Sequence, residues 1–381
     1  MIDFTPNDDQ IAILEMTEGF ALNELRPKAV EWDSLKHFPT DVLAQAGSLG
    51  LGAIYTREDV GGSALGRVDA VMIFEALAKG CPTIAAYISI HNMCCWMIDR
   101  FGSPEQRAHW CPKLATMETL ASYCLTEPGA GSDASALSTR ATREGDEFIL
   151  NGQKQFISGA GTSDVYIIMA RTGAPGPSGI SAFLVERDTP GLSFGANEQK
   201  MGWNAQPTRT VTMDNLRIPA SNMLGAEGKG FNIAMAGLDG GRLNIAACSL
   251  GGAQAALDAS QHYMRDRRAF GKALIDMPTL QFRLADMATD VEVSRTILWR
   301  AAASLDAKSP RATTLCAMAK QFVTDHCFRV ANEALQLHGG YGYLSEYGIE
   351  KIVRDLRVHQ ILEGTNEIMR LIVSRSLVPG E

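Results

Sequence analysis

The hydrophobic and polar positions of this chain change period twice. Over the first third, apolar residues recur at helical spacing. Ile11, Leu14 and Phe20 follow Thr5-Pro6-Asn7-Asp8, which offers an N-cap, a proline at the first helical position and an acid in the first turn. Helices are expected near 40–49, 66–79 and 83–101, separated by Gly61-Gly62 and Cys81-Pro82, and Ser103-Pro104-Glu105-Gln106 opens another with a capping box. The apolar run from Ile84 to Ile98 contains His91 and Asn92 and is too short to span a bilayer, so it reads as a buried helix.

From about residue 120, β-branched and aromatic residues alternate with polar ones. Phe148-Ile149-Leu150 and Gln153 to Ser158 flank Asn151-Gly152, a pair suited to the positive φ angles of a type I′ turn, and predict a hairpin. Further strands are expected at Val165 to Ala170, Ser181 to Glu186 and Arg209 to Met213, with Gly173-Ala174-Pro175-Gly176-Pro177 as a loop. Beyond Gly230 the helical period returns, over 230–266, 278–305, 310–338, 349–355 and a last run after Gly364. Leu315, Met318, Ala319 and Phe322 keep the spacing of a buried helical face, and His338-Gly339-Gly340 is a helix stop. The expected fold is α+β and mainly α: an N-terminal helical domain (1–120), a middle antiparallel β domain (121–229) and a C-terminal four-helix bundle (230–381).

Composition narrows the function. Of 381 residues, 46% are apolar, which excludes disorder, and a net charge of -8 argues against binding nucleic acid or an anionic membrane by bulk electrostatics. The eight cysteines show no C-x-x-C spacing and read as free thiols in a reducing compartment. The seven histidines have no ligand spacing, so no metal is expected, and neither a Walker A motif nor a G-x-S-x-G elbow is present. Met1-Ile2-Asp3-Phe4 resembles neither a secretory signal nor an import leader; the chain is expected in the cytoplasm, or in the mitochondrial matrix if it is a processed form.

Three segments carry candidate chemistry. The loop Tyr123-Cys124-Leu125-Thr126-Glu127-Pro128-Gly129-Ala130-Gly131-Ser132-Asp133 can turn backbone N–H groups and hydroxyls towards a flat heterocycle or a phosphate; it can equally be an ordinary Gly/Pro turn. Arg267-Arg268-Ala269-Phe270-Gly271 offers two guanidinium groups, suited to phosphate oxygens or to a helix C-terminus. Glu363 sits between the apolar pair Ile361-Leu362 and Gly364. Apolar neighbours raise a carboxyl pKa towards the range of a general base, while a carboxylate at a helix start is also a common cap.

Together, Tyr123 to Asp133, Gln155 to Ala160, Arg267 to Gly271, Gln336 to Gly342, Arg354-Asp355 and Glu363-Gly364-Thr365 resemble, in order and separation, the acyl-CoA dehydrogenase family from end to end. The resemblance implies FAD as cofactor and an acyl-CoA thioester as substrate. In this reaction Glu363 takes the α proton as hydride leaves the β carbon for flavin N5, and the backbone N–H of Glu363 helps to hold the thioester oxygen. It also implies electron-transferring flavoprotein as acceptor and a homotetramer.

By the same resemblance, Tyr123, Leu125, Thr126, Ser132, Phe156 and Ser158 line the flavin, with Thr365 and Glu367 on the same cofactor. Arg267, Phe270, Gln336, Gly339 and Gly340 reach its pyrophosphate and adenosine end across a subunit boundary. Ser132, Asp239, Arg242 and Gly364 contact the substrate. Phe156 replaces a tryptophan of several members, and Pro278 replaces a flavin-contacting glutamine. One variant of the family moves the base onto the first bundle helix, where Gly240 stands here, leaving Glu363 as the candidate.

Ser89 to Met93, Gly202-Trp203-Asn204, Gly240 to Ala246 and His359 to Gly364 resemble members that oxidise isobutyryl-CoA in valine breakdown. A straight-chain or 2-methylbutyryl substrate is the alternative, as is a protein that binds acyl-CoA or flavin without turnover.

Overall fold

The computed structural model describes residues 5–378, so the expectation drawn from Met1 to Phe4 lies outside the described residues. Six helices open the chain: α1 (Asp8–Phe20), α2 (Ala29–Leu35), α3 (Thr40–Ser48), α4 (Arg67–Gly80), α5 (Pro82–Phe101) and α6 (Pro104–Ala115). The first differs from the sequence expectation. Pro6 precedes the helix and Asn7 is the cap, its side chain and that of Gln10 bonding reciprocally to each other's backbone N–H. Ser103 and Gln106 form the predicted box, with Pro104 at the first helical position. Helix α5 is buried along most of its length. Its Asn92 accepts from Ile54 N and donates to Leu51 O and Ile88 O, which satisfies the amide inside the apolar run.

Strands β1 (Ala121–Cys124), β2 (Arg140–Glu144), β3 (Glu147–Ser158), β4 (Val165–Arg171), β5 (Ile180–Glu186), β6 (Leu192–Phe194), β7 (Thr208–Pro219) and β8 (Met223–Leu224) form one sheet in the order β6-β7-β3-β2-β4-β5-β8. Its pairings are antiparallel except that β1 lies parallel beside β4 and β2 meets β4 at Arg140 and Arg171. Strand β4 is buried on both faces. Val165, Ile167 and Met169 join a core shared with α5, α6 and the start of the next helix, while Tyr166, Ile168 and Ala170 join a core with Phe148, Phe183 and Val211.

The predicted hairpin at Asn151-Gly152 is not a turn. Both residues lie inside β3, where the register with β7 shifts between Leu150 and Gly152. Gly152 has φ +148, and a Cβ there would stand 2.5 Å from Thr139 Oγ1; the glycine marks a bulge and a close approach to the residue that leads into β2. The turn falls instead at Gly145-Asp146, between β2 and β3.

The rest is helical: α7 (Gly230–Asp266), α8 (Pro278–Asp306), α9 (Ala312–His338), α10 (Ile349–His359) and α11 (Asn366–Leu377). The long α7, α8 and α9 pack on one another, with α4 against α7 and α8 and with α10 and α11 against α9. Between α7 and α8, the short strands β9 (Arg268–Ala269) and β10 (Lys272–Ala273) are joined by Phe270-Gly271, both at positive φ.

Candidate active site

Glu363 is not a helix cap. Helix α10 stops at His359, and α11 is capped by Thr365, whose Oγ1 accepts from Ile368 N at 3.4 Å. Between them Glu363 has φ +54 and Gly364 φ +90. A left-handed glutamate costs on the order of 1–2 kcal/mol, so the surroundings must hold it. Lys320 on α9 donates to Gly364 O at 2.8 Å and to Asn366 Oδ1 at 2.9 Å, and Arg242 on α7 reaches Glu363 O at 3.3 Å. Asn366 is itself fixed by Thr324 and Asp325.

The strained turn sends the carboxyl group against α7 at Gly241. A Cβ there would stand 2.4 Å from Glu363 Oε2, so only glycine leaves the space. The glycine that makes room is Gly241 and not Gly240, which faces the Arg67 guanidinium. Glu363 Oε2 is buried and has no hydrogen-bond partner among the described residues. Burial pushes the carboxyl pKa up to about 7, against the opposing charges of Lys320 and Arg242.

This carboxyl faces a cavity of about 1190 Å³. Apolar walls come from Ile90 and Met93 on α5, Met235 and Leu238 on α7, and Ile361 and Leu362 beside the glutamate. The loop after β1 adds Thr126 and Ser132, and β3 adds Phe156 and Ser158. Phe156 has φ +60 and leaves 64% of its surface exposed. Five basic side chains reach the cavity, Lys200, Arg242, Arg354, Arg357 and Arg375, against two acids, Asp133 and Glu363. Tyr123 Oη is buried without a hydrogen-bond partner among the described residues. An orphaned hydroxyl, an open aromatic face and an excess of cations fit a flat heterocycle with an anionic tail and an acyl thioester of a phosphorylated carrier.

The structure thus brings together Tyr123, Leu125, Thr126, Ser132, Phe156, Ser158, Arg242, Glu363 and Gly364. Asp239 stands just outside, paired with Arg242 at 2.7 Å and accepting from Thr313. Thr365 caps α11, and Glu367 is exposed at its first turn; neither lines the cavity. Arg267, Gln336, Gly339 and Gly340 line a different cavity of about 580 Å³. Phe270, 94% exposed at the β9–β10 turn, lines neither.

Sequence reasoning missed the framework beneath these residues. The loop after β1 is pinned by Glu127, which accepts from Ser138 N (2.6 Å), Ser138 Oγ (2.7 Å), Thr139 N (3.0 Å) and Lys154 Nζ (2.7 Å). Lys154 also donates to Leu125 O at 3.1 Å. Burial alone would raise the Glu127 carboxyl, but Lys154 and these donors hold it down to about 2. Burial likewise pushes the Lys154 ammonium down, with Glu127 partly offsetting it. A signal was present: Lys154 continues the inward alternation of Phe148 and Leu150, and a lysine in that register needs a buried partner. Lys320 carries the same signal, since Cys316, Ala319 and Val323 place it on the buried face of α9.

The chain matches the models of the acyl-CoA dehydrogenase N-terminal domain over residues 7–118, middle domain over 122–216 and C-terminal domain over 228–378. It is 53% identical over 372 residues to the mitochondrial isobutyryl-CoA dehydrogenase of Bos taurus, covering 98% of this chain and 89% of that one. The chain belongs to the acyl-CoA dehydrogenase family. It is accordingly an oxidoreductase with the family's fold, helical at both ends around a middle β sheet. Among solved structures, it is similar to butyryl-CoA dehydrogenase from Megasphaera elsdenii, with TM-score 0.95 and 37% identity, covering 99% of this chain and 100% of that one. It is also similar to PigA solved as an FAD complex, with TM-score 0.95 and 31% identity, covering 99% of each chain.

Proposed function

We propose that this protein oxidises isobutyryl-CoA to methacrylyl-CoA in valine breakdown, with FAD resident in the large cavity and Glu363 as the base. The observation that carries the reading is the carboxyl of Glu363. It is buried against Gly241 with Oε2 unpartnered, and its pKa of about 7 suits a group that takes and returns a proton near neutrality.

Bound FAD supplies the acceptor for the hydride that leaves the substrate's β carbon. The chain's own residues do the rest. Glu363 takes the α proton, and its backbone N–H, which donates to no other group among the described residues, is available to the thioester oxygen as enolate charge develops. Tyr123, Leu125, Thr126, Ser132, Phe156 and Ser158 would hold the flavin, and by resemblance Thr365 and Glu367 would bind the same cofactor from outside the cavity lining. Ser132, Asp239, Arg242 and Gly364 hold the thioester and carrier arm. Desolvation by the acyl chain raises the Glu363 pKa further and brings it closer to that of the α C–H.

In this reading the chain is organised as domains 1–120, 121–229 and 230–381. Arg267, Phe270, Gln336, Gly339 and Gly340 serve the adenosine end of a neighbouring subunit's flavin in a homotetramer, and electron-transferring flavoprotein reoxidises the cofactor. The separation of the two cavities supports a shared site. Leu362, which by resemblance replaces the tyrosine that precedes the base in straight-chain members, is consistent with a reshaped pocket.

The test is an anaerobic titration of purified protein followed in the visible spectrum. Isobutyryl-CoA should bleach a bound flavin and be turned over with higher kcat/KM than butyryl-CoA or 2-methylbutyryl-CoA. Absence of bleaching by any acyl-CoA would reject the dehydrogenase reading for a binding protein, and a straight-chain preference would reject isobutyryl-CoA.

A further inference from the structure

The cavity wall contains an indole whose hold on the rest of the fold the proposed reaction does not use. Trp203 lies in the segment between β6 and β7, at φ +56, and is only 5% exposed although it lines the cavity. A left-handed tryptophan is unfavourable unless its surroundings fix it. Helix α10 fixes it at two points one turn apart. The backbone N–H of Trp203 donates to Asp355 Oδ1 at 2.7 Å, and the indole Nε1–H donates to His359 Nε2 at 3.2 Å. The preceding Gly202 lies so close to α10 that a Cβ would stand 2.5 Å from Arg354 O.

The chemistry of the contact defines the histidine. An indole N–H only donates, so His359 Nε2 accepts and the ring hydrogen sits on Nδ1. Nδ1–H then donates to Ser249 Oγ on α7 at 2.6 Å, and Ser249 passes its own hydrogen to Ile245 O at 3.1 Å. The ring is fully buried, and burial, reinforced by the Lys320 charge, pushes its pKa down to about 3, in keeping with a neutral ring whose Nε2 accepts. The chain of donors runs one way, from the indole in the cavity to the backbone of α7. Four residues beyond His359, the turn that follows α10 delivers Glu363 into the cavity.

From this we infer that His359 is a positioning residue. It holds the Trp203 indole as a fixed wall of the flavin cavity and ties that wall to the segment that carries the base. The inference rests on the reading of the cavity as a flavin site. Neither His359 nor Ser249 touches the reacting atoms; both act through Trp203.

The experiment uses the FAD-bound protein with His359→Leu, His359→Gln, Trp203→Phe and the double variant Trp203→Phe/His359→Leu. It reads the FAD dissociation constant, the visible flavin band, melting temperature, and kcat and KM separately. His359→Leu removes the acceptor and should weaken FAD binding at least tenfold and broaden the band. His359→Gln, whose Oε1 can replace Nε2, should stay within threefold of wild type. Trp203→Phe should match His359→Leu, and the double variant should add less than twofold. If His359→Leu does not fold, the contrast between Trp203→Phe and His359→Gln decides. FAD affinity within threefold for both His359→Leu and Trp203→Phe in a protein that bleaches normally overturns this assignment alone, as does a glutamine variant no better than leucine. A wild-type protein that binds no FAD overturns the flavin-site reading beneath it.

Discussion

Two buried glutamates, Glu363 on the cavity and Glu127 beneath the loop that lines it, are treated in opposite ways. Glu127 receives four hydrogen bonds, one of them from a lysine that is itself fully buried. Glu363 keeps one oxygen buried without a partner and has its cations at the backbone beside it. Burial pushes both carboxyls up from the ordinary 4.5; donors reverse this for Glu127, to about 2, and fail to for Glu363, which stays near 7. One carboxyl is held charged by a lysine and by donors, and the other is left without them. A paired carboxylate has no use for a proton, whereas an unpaired one in an apolar niche does.

The comparison breaks most visibly at Glu363. Glu363→Gln should lower kcat by about 10²- to 10⁴-fold, the range of a removed general base, while the flavin spectrum is retained; activity within tenfold of wild type would reject the assignment. The same change should stabilise the protein in alkali. A carboxyl raised from 4.5 to about 7 on folding gives stability that is complete below 4.5 and lost as pH rises through 7. Glutamine has no such loss, so at pH 8 the variant should be more stable by on the order of 1–3 kcal/mol in denaturant melts.

Glu127 should show the reverse. Its lowered pKa gives stability that is present above 4.5 and lost as pH falls towards 2. Lys154→Met leaves this carboxylate buried with no cation and should cost roughly 3–5 kcal/mol, with FAD affinity falling as the loop from Leu125 to Thr139 loosens. A variant as stable as wild type, with unchanged FAD affinity, would show that the pair does not pin the loop.

The smallest effect sharpens the contrast. Lys320 holds the Glu363 pKa down through its charge, so Lys320→Met should move the acid limb of the kcat/KM profile alkaline, by roughly half a unit to one unit at an effective protein dielectric. A limb that stays near 7 or moves to acid would show that burial alone sets the base.

Much of this was legible in the sequence. The helical period located α5, α7, α8 and α9 within a few residues, because each hides one face behind apolar residues at regular spacing. Asn151-Gly152 misled because local turn chemistry cannot see the partner strand: Thr139, which crowds Gly152, lies twelve positions upstream of Asn151. For the site, the order of motifs pointed to Glu363, Tyr123 and Arg242, which the fold does place on one cavity. It also set Arg267 and Gln336 apart from that group, and they line a separate cavity, whereas the exposure of Phe270 outside both could not be read from its motif. Lys154 and Lys320 were readable as charges in buried register, but only the folded chain names their partners.

Strand β4 has a consequence for how the molecule comes apart. Its odd residues belong to one apolar core and its even residues to another, so it cannot leave the sheet without opening both at once. Strand β1 is zipped to it in parallel and runs directly into Tyr123 and the loop that Glu127 fastens. The loop from Leu125 to Thr139 is therefore moored to a strand that cannot shift without disturbing two cores, so opening it by way of β4 would cost more than opening a surface helix.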